Sequence, residues 1–300
     1  MTGRGNIYDL GYRGYEGQRL GRRGAIGALL THSLRTAYGL GRGARSKLVP
    51  MGLAVFAILP ALLALGIVAL VSQVGQAGEA IEAISPIRYS TIFPLTATLV
   101  MLFCAAQAPE LFGRDQRAGV LPLYFTRAVS RDDYAIARLL GLLTGVAVLV
   151  LAPQLILFLG RVLAALDPFE GLRDELPSLP AVFAVAVLSV GVFGSVAAAV
   201  AASTPRRSYA TAAIIAVFVV PTIVAQLLAE LASGPIAQIA VLLSPGEVLE
   251  GVNAVLFDVR SDSDAVLAAG LDGWAYVAAA AAWMVGAIVM LLRRYRRIIA

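Results

Sequence analysis

Six apolar runs, separated by polar segments, restrict this chain to very few kinds of fold. They cover about residues 49–71, 89–109, 135–160, 179–202, 209–232 and 273–292. Each is close to the roughly 20 residues an α-helix needs to cross the hydrocarbon core of a bilayer. Inside that core no water is available to backbone N–H and C=O groups, so a spanning segment must satisfy them within itself, as a helix does. Only 14% of the 300 residues are charged, against about a quarter in soluble proteins, and the mean hydropathy is +0.81. These features predict an all-α membrane protein with six transmembrane helices. Pro60, Pro94, Pro153 and Pro221 fall inside the runs; membrane helices accept proline where neighbours satisfy the freed carbonyls.

The basic residues orient the bundle. Of 24 Lys and Arg, nine lie in residues 1–47, five between Arg114 and Arg138, two at Arg206 and Arg207, and four in the C-terminal tail. The intervening loops hold only Arg88, Arg161, Arg173 and Arg260. The bias alternates loop by loop, so the positive-inside rule predicts both termini in the cytoplasm. The net charge of +5 is thereby a topology signal, and no nucleic-acid partner is expected.

Residues 1–47 read as a cytoplasmic arm and 48–300 as the membrane domain. The arm carries Tyr8, Tyr12 and Tyr15 among glycines and lacks the early apolar core and cleavage site of a signal peptide. Over residues 24–40 the spacing predicts an amphipathic helix, with Ile26, Leu29, Leu30, Ser33, Leu34, Ala37 and Leu40 on one side and Thr31, His32, Arg35 and Arg42 largely opposite. Such a helix suits a membrane surface, or alternatively packs on the domain. Between the fifth and sixth runs, residues 235–243 are too short to cross, Ser244-Pro245-Gly246 breaks the pattern, and Val248–Val259 is again helix-like. This predicts short re-entrant or extracellular helices.

The most informative polar stretch is Pro109–Arg138, which is too charged to sit in the hydrocarbon. Glu110, Arg114, Asp115, Arg117 and Arg131 surround an apolar cluster of Val120, Leu121, Leu123, Tyr124 and Phe125. A solvated loop has no use for such a cluster, so it is expected to dock on something. Pro122 argues against one unbroken helix; a short helix over Asp115–Leu121, a bend and a new start at Ser130 are expected. Ser130 and Asp133 have capping-box spacing.

Enzymatic motifs are lacking. Gly39-Leu40-Gly41-Arg42-Gly43-Ala44 follows no predicted strand, and Lys47, the only lysine, is not in a phosphate-binding loop. One histidine, His32, makes no multi-histidine metal site, and one cysteine, Cys104, makes no intrachain disulfide. Asp132-Asp133 reads as a helix cap, and Gly191–Ser195 lacks the spacing of a nucleophile elbow. Within the runs the polar residues are Gln107, Gln154, Gln226 and scattered Ser and Thr, which favour interhelical hydrogen bonds. No internal ion relay of the kind a carrier requires is evident. Gly141/Gly145, Gly191/Ser195 and Ala278/Ala282/Gly286 have the spacing of close helix contacts, within the chain or between chains.

Gly119-Val120-Leu121, then Val129-Ser130-Arg131, then Arg138 resemble the Gly-Thr-Leu … Pro-Val-Ser-Arg … Lys pattern of ABC-2 type transporter permeases. Val120, Ala128 and Arg138 stand where that pattern has threonine, proline and lysine. The resemblance extends to the layout of the whole chain: interfacial helix, six spans, a polar segment after the second span and re-entrant helices before the last. It implies a permease subunit of an exporter in the bacterial plasma membrane, paired with a second permease copy. A separate ABC ATP-binding subunit would carry ATP and Mg, so this chain would bind no cofactor and catalyse nothing. The ATPase-coupling segment would comprise Glu110, Arg114, Asp115, Arg117, Gly119, Val120, Leu121, Tyr124, Phe125, Ser130 and Arg131, and the interfacial helix would include Ile26, Leu30, Leu34 and Arg35. A secondary carrier or channel, and a membrane-embedded lipid-modifying enzyme, are the alternative readings. The nearly uncharged spans favour an amphipathic or hydrophobic cargo.

Overall fold

The computed structural model describes residues 21–71, 88–125, 129–165, 167–231 and 234–297, and no strand occurs among them. Tyr8, Tyr12, Tyr15 and Ala128 lie outside the described residues. The apolar runs are helices: α2 (Arg45–Val71), α3 (Tyr89–Ala108), α6 (Arg131–Ala164), α8 (Leu179–Ser203), α9 (Arg207–Leu231) and α13 (Gly273–Arg296). All six are long and apolar enough to cross a membrane. The N-terminal α1 covers Gly21–Ala37. The segment after α3 folds as a π-turn (Pro109–Gly113), α4 (Arg114–Arg117) and α5 (Leu121–Phe125). On the opposite side lie α7 (Pro168–Glu175), α10 (Pro235–Leu243), α11 (Pro245–Leu256) and α12 (Asp264–Ala269).

Most ends follow local chemistry. Ser130 Oγ accepts from the Asp133 N–H at 3.1 Å and Asp133 returns the bond to the Ser130 N–H at 3.1 Å, a complete capping box that starts α6. That start lengthens α6 to 34 residues, about 50 Å at 1.5 Å per residue, so its first turns project beyond a core about 30 Å thick. The expected helix over Asp115–Leu121 is not continuous. It breaks at Gly119, whose φ of +63° suits glycine, and Pro122 sits in the first turn of α5, where its missing N–H costs nothing. The helices α10 and α11 meet at Ser244 with a bend of 99° and have 9 and 12 residues, each too short to cross alone.

Helix α8 is the axis of the bundle and touches α3, α6, α9, α11 and α13. Its inner surface is built from small residues, including Gly191, Gly194, Ser195, Ala198 and Ala202, which let neighbouring backbones approach where no hydrophobic force drives helices together. Of its most apolar window 67% is buried within the chain, against 22% for α2 and 17% for both α9 and α13. The last three helices are peripheral.

The Gly141/Gly145 pair faces inward to this chain. A Cβ on Gly141 would stand 2.4 Å from the Ser33 Cβ, and one on Gly145 3.4 Å from the Ala37 Cβ. Tyr38 Oη donates to the Gly145 carbonyl at 2.8 Å. So α1 lies in a groove of α6, and its buried face is Leu29, Ser33, Thr36 and Ala37. That face is turned toward Thr36 relative to the expected apolar stripe: Ile26, Leu30 and Leu34 lie on the flank, partly buried, and Arg35 is exposed. Leu29, Ser33 and Ala37 are on the expected side and only Thr36 is not; a groove floored by glycine accepts Ser and Thr, and the Ser33 hydroxyl bonds the Leu29 carbonyl of its own helix at 2.7 Å. Gly191 and Gly194 likewise meet Met284 and Leu143 of this chain.

Gly141→Val should overfill this groove and lower stability by about 1–3 kcal/mol. Thermal unfolding of the purified protein, together with faster proteolysis near residue 40, would register it. An unchanged melting curve would show that α1 is not seated on Gly141.

Candidate functional site

Every arginine-bearing segment among the described residues that the sequence assigned to one face converges on Pro109–Arg138. At its start the π-turn turns Glu110 between two cations: Arg207 Nη1 lies 2.8 Å from Oε1 and Arg42 Nη1 3.5 Å from Oε2. One carboxylate thus ties the linker after α1 to the first residue of α9. π-Turns are rare and concentrate where a helix must re-aim a functional side chain.

Behind it lies a buried ion pair. The Arg138 side chain is 3% exposed and its Nη2 pairs with Asp115 Oδ2 of α4. Tyr134 Oη donates to the same oxygen at 2.7 Å, and Arg138 Nε and Nη1 reach Tyr134 Oη at 3.3 Å and Ser33 Oγ at 3.4 Å. The fully buried Tyr134 ring collects Tyr124, Phe125 and Tyr295 at centroid distances of 5.3, 6.0 and 5.4 Å. Four parts of the chain therefore meet in one cluster: α1, α4–α5, α6 and the end of α13. On α1, partial burial and the nearby Arg138 guanidinium hold His32 below its usual range.

The rim is made of surface pairs. Arg117 Nη1 donates to the Pro205 carbonyl at 2.8 Å, Gln116 Nε2 to the Ala202 carbonyl at 3.2 Å, and Arg131 Nη1 to the Arg296 carbonyl at 2.9 Å. Arg296 pairs with Asp132 and Arg22 with Asp133, both at 2.8 Å. Arg131 also stands over the Phe125 ring, 5.6 Å from its centroid. Exposed pairs of this kind contribute little energy because solvent screens them; their value here is geometric.

The apolar cluster divides. Leu121 is buried at 4% exposure in the core, Tyr124 and Phe125 pack half-buried on Tyr134, and Val120 is half-buried. Leu123 is 67% exposed beside Ala118, Gly119 and Pro122. A cavity of about 740 Å³ opens next to it, between α5 and the Ala25, Leu29 and His32 side of α1. Arg114 is exposed, and Ser130 serves as the α6 cap. Sequence reading placed these residues together but missed that half of the cluster is absorbed by the chain itself. Tyr134 was the missing signal, a large aromatic four residues before Arg138 on one helix face.

A second polar cluster, unseen in the sequence, lies at the other end. Glu247 of α11 is 3% exposed and accepts from Gln226 Nε2 at 2.9 Å and from the Ser263 hydroxyl. Thr222 and Ser244 share a hydrogen bond at 2.9 Å alongside it. Ser244 and Glu247 have the spacing of a helix start, the one clue the sequence offered. Gln154 donates to the Tyr89 carbonyl at 3.2 Å, so both glutamines make interhelical bonds. Among the described residues no group of three or more His, Cys, Asp or Glu is placed to hold a metal ion.

Asp115→Ala would leave Arg138 buried without a counter-charge and should cost about 3–5 kcal/mol, read as a lowered melting temperature in detergent. Asp115→Leu combined with Arg138→Met should recover most of that loss, because uncharged partners leave nothing to compensate. A double variant as unstable as the single one would show that the pair is not what the cluster depends on. Compared with known proteins, the chain matches no family model and no curated protein sequence.

Proposed function

We propose that this chain is the membrane-embedded permease subunit of an ATP-driven transporter, similar to the ABC-2 type, and that Pro109–Arg138 receives motion from a separate ATP-binding subunit. The observation that carries this reading is the division of labour within that segment. Its exposed tip, Gly119, Pro122 and Leu123, stands beside an open apolar notch, while its base is fixed to α1, α6, α9 and α13 through Glu110, Asp115 and Tyr134. A lever needs both a contact surface and a stiff attachment. The expected partner is docked on the tip, with Arg114, Arg117 and Arg131 as the polar rim, since interface energy concentrates in a few buried apolar and arginine anchors. In this reading both termini and the arginine-rich face are cytoplasmic in a bacterial plasma membrane, α10 and α11 form a re-entrant pair on the outside, and a second permease copy completes the path. ATP and Mg would be held by the ATPase.

Glu247 supports a second reading. A carboxyl this buried, held by neutral donors, is the kind of group through which a secondary carrier takes up a proton or cation.

Orientation can be tested by thiol labelling in intact cells, since Cys104 is fully buried and silent. Cysteine at exposed Asp262 should react with an impermeant reagent and cysteine at exposed Ser208 should not; the reverse pattern inverts the topology.

Function can be tested by purifying the tagged chain from native membranes. An ATP-binding protein should copurify, and Leu123→Asp should reduce its recovery about tenfold, equivalent to 1.4 kcal/mol, while Asp262→Ala leaves it intact. Leu123 is the better probe because Leu121→Asp would place a charge in the core. Absence of any ATPase, with pH-gradient-driven transport lost in Glu247→Gln, would replace this reading by the carrier.

A further inference from the structure

Helix α7 has a sharply divided surface, and no apolar run announced it. Around its axis three sectors follow one another. Gly171 and Glu175, four residues apart, face the chain: a Cβ on Gly171 would stand 2.6 Å from the Ala165 Cβ and 3.0 Å from the Val162 carbonyl oxygen. Phe169, Leu172 and Leu176, at i, i+3 and i+7, form the next sector and are 83, 37 and 48% exposed. Glu170 and Asp174, again four apart, form the third and are exposed. Arg173 stands between the apolar and acidic sectors, also exposed.

The helix is not a loose excursion. Asp167 caps it by accepting from the Phe169 N–H at 2.9 Å. Glu175 accepts from Tyr89 Oη at 2.7 Å through one oxygen and from Arg161 Nη1 at 3.2 Å through the other. The Arg161 guanidinium also lies over the Tyr89 ring, 5.7 Å from its centroid. Tyr89 is the first residue of α3 and Arg161 lies in the last turn of α6. The orientation of α7 is therefore fixed relative to two membrane-length helices, at the level where both end.

We propose that α7 is an interfacial anchor and that its partner is the lipid leaflet at the end of the bundle remote from the arginine-rich segments. Its apolar sector enters the boundary between headgroups and acyl chains, Arg173 reaches lipid phosphates, and Glu170 and Asp174 stay in water. This is the arrangement an amphipathic helix adopts in a bilayer surface. The surface that leads to it is already one that faces lipid: Leu155, Leu159 and Leu163 on α6 are 36, 57 and 73% exposed at four-residue spacing and run to the junction with α7. Through the Glu175 clamp the leaflet then sets the depth of α3 and α6. The proposal rests on the membrane-spanning reading of α6 and is independent of any ATPase.

The test uses the full chain in lipid nanodiscs, with Cys104→Ala and single cysteines introduced by Phe169→Cys, Leu172→Cys, Glu170→Cys and Asp174→Cys, each carrying a nitroxide. All four sites are exposed, so labelling leaves the fold intact. Collision with oxygen should exceed collision with a water-soluble nickel chelate at 169 and 172, and the order should reverse at 170 and 174. Equal access to nickel at all four sites would mean that α7 is solvated and would overturn the proposal. Protection of 169 and 172 from both reagents would mean that protein covers this face, in this or another chain, and would overturn it equally. In either case the capture of an ATPase at the opposite end is unaffected.

Discussion

A guanidinium at 3% exposure is untenable without a counter-charge, and the basic end of this molecule is arranged around supplying one. Arg138 leaves the surface of α6 beneath α1, and Asp115 must come to it. Bringing Asp115 there fixes α4, which fixes the π-turn before it and the Gly119 break after it. Tyr134 shares the carboxylate and its ring then holds α5 and the end of α13. One desolvated pair thereby dictates the path of residues 109–125, which have no long helix of their own. Exposed pairs such as Arg296–Asp132 refine that path and contribute little energy.

The two ends of the bundle solve different electrostatic problems. The basic end neutralises charge with charge, and its links join segments far apart in sequence, as Arg207 and Arg42 do through Glu110. Apart from the Arg161–Glu175 pair at α7, the other end uses neutral donors around carboxylates: Gln226 and Ser263 on Glu247, and Ser261 on Glu250 at 3.3 Å. Asn253 of α11 donates to the Ser90 carbonyl at 2.8 Å, and Trp283 of α13 to the Leu242 carbonyl at 3.0 Å, closing the short helices onto the spans. Such bonds do not depend on salt as ion pairs do. Changes in ionic strength should therefore act on the arginine-rich end first.

The spans were legible in the sequence to within a few residues because hydrocarbon allows a single solution for the backbone, so composition and length suffice. The capping box at Ser130 was legible because it is local. What escaped was whatever depended on a partner distant in sequence. The seat of α1 is decided by Gly141 on α6, so the apolar stripe of α1 held Leu29, Ser33 and Ala37 but not Thr36. The inward half of the Val120–Phe125 cluster is decided by Tyr134 and the core behind Leu121. Helix α7 escaped for a different reason: eight residues with two large apolar ones, Phe169 and Leu172, leave no signal in a hydropathy window, although the sectors are evident once the helix is known.

The surface left over is informative in its own right. The peripheral helices α2, α9 and α13 bury about a fifth or less of their apolar windows, so hydrocarbon or another apolar chain must cover the rest. Along α13 the uncovered surface is concave. Trp274, Ala278, Ala282, Gly286 and Met290 floor a groove of about 890 Å³ walled by α8, α9 and α10. No charged side chain lines it, and its two side-chain donors are the indoles of Trp274 and Trp283, the latter already bonded to the Leu242 carbonyl. A groove without charges and with so few donors selects little by hydrogen bonding and suits flexible hydrocarbon. The stiff, charged basic end and this soft, apolar flank are joined by α13, whose last turn packs Tyr295 on Tyr134. In the proposed transporter, α13 gives motion delivered to Asp115 and Tyr134 a route to the groove. A rigid base at the receiving end and a helix largely uncovered by this chain at the delivering end are what such a transfer requires, because displacement is least opposed where the least protein surrounds it.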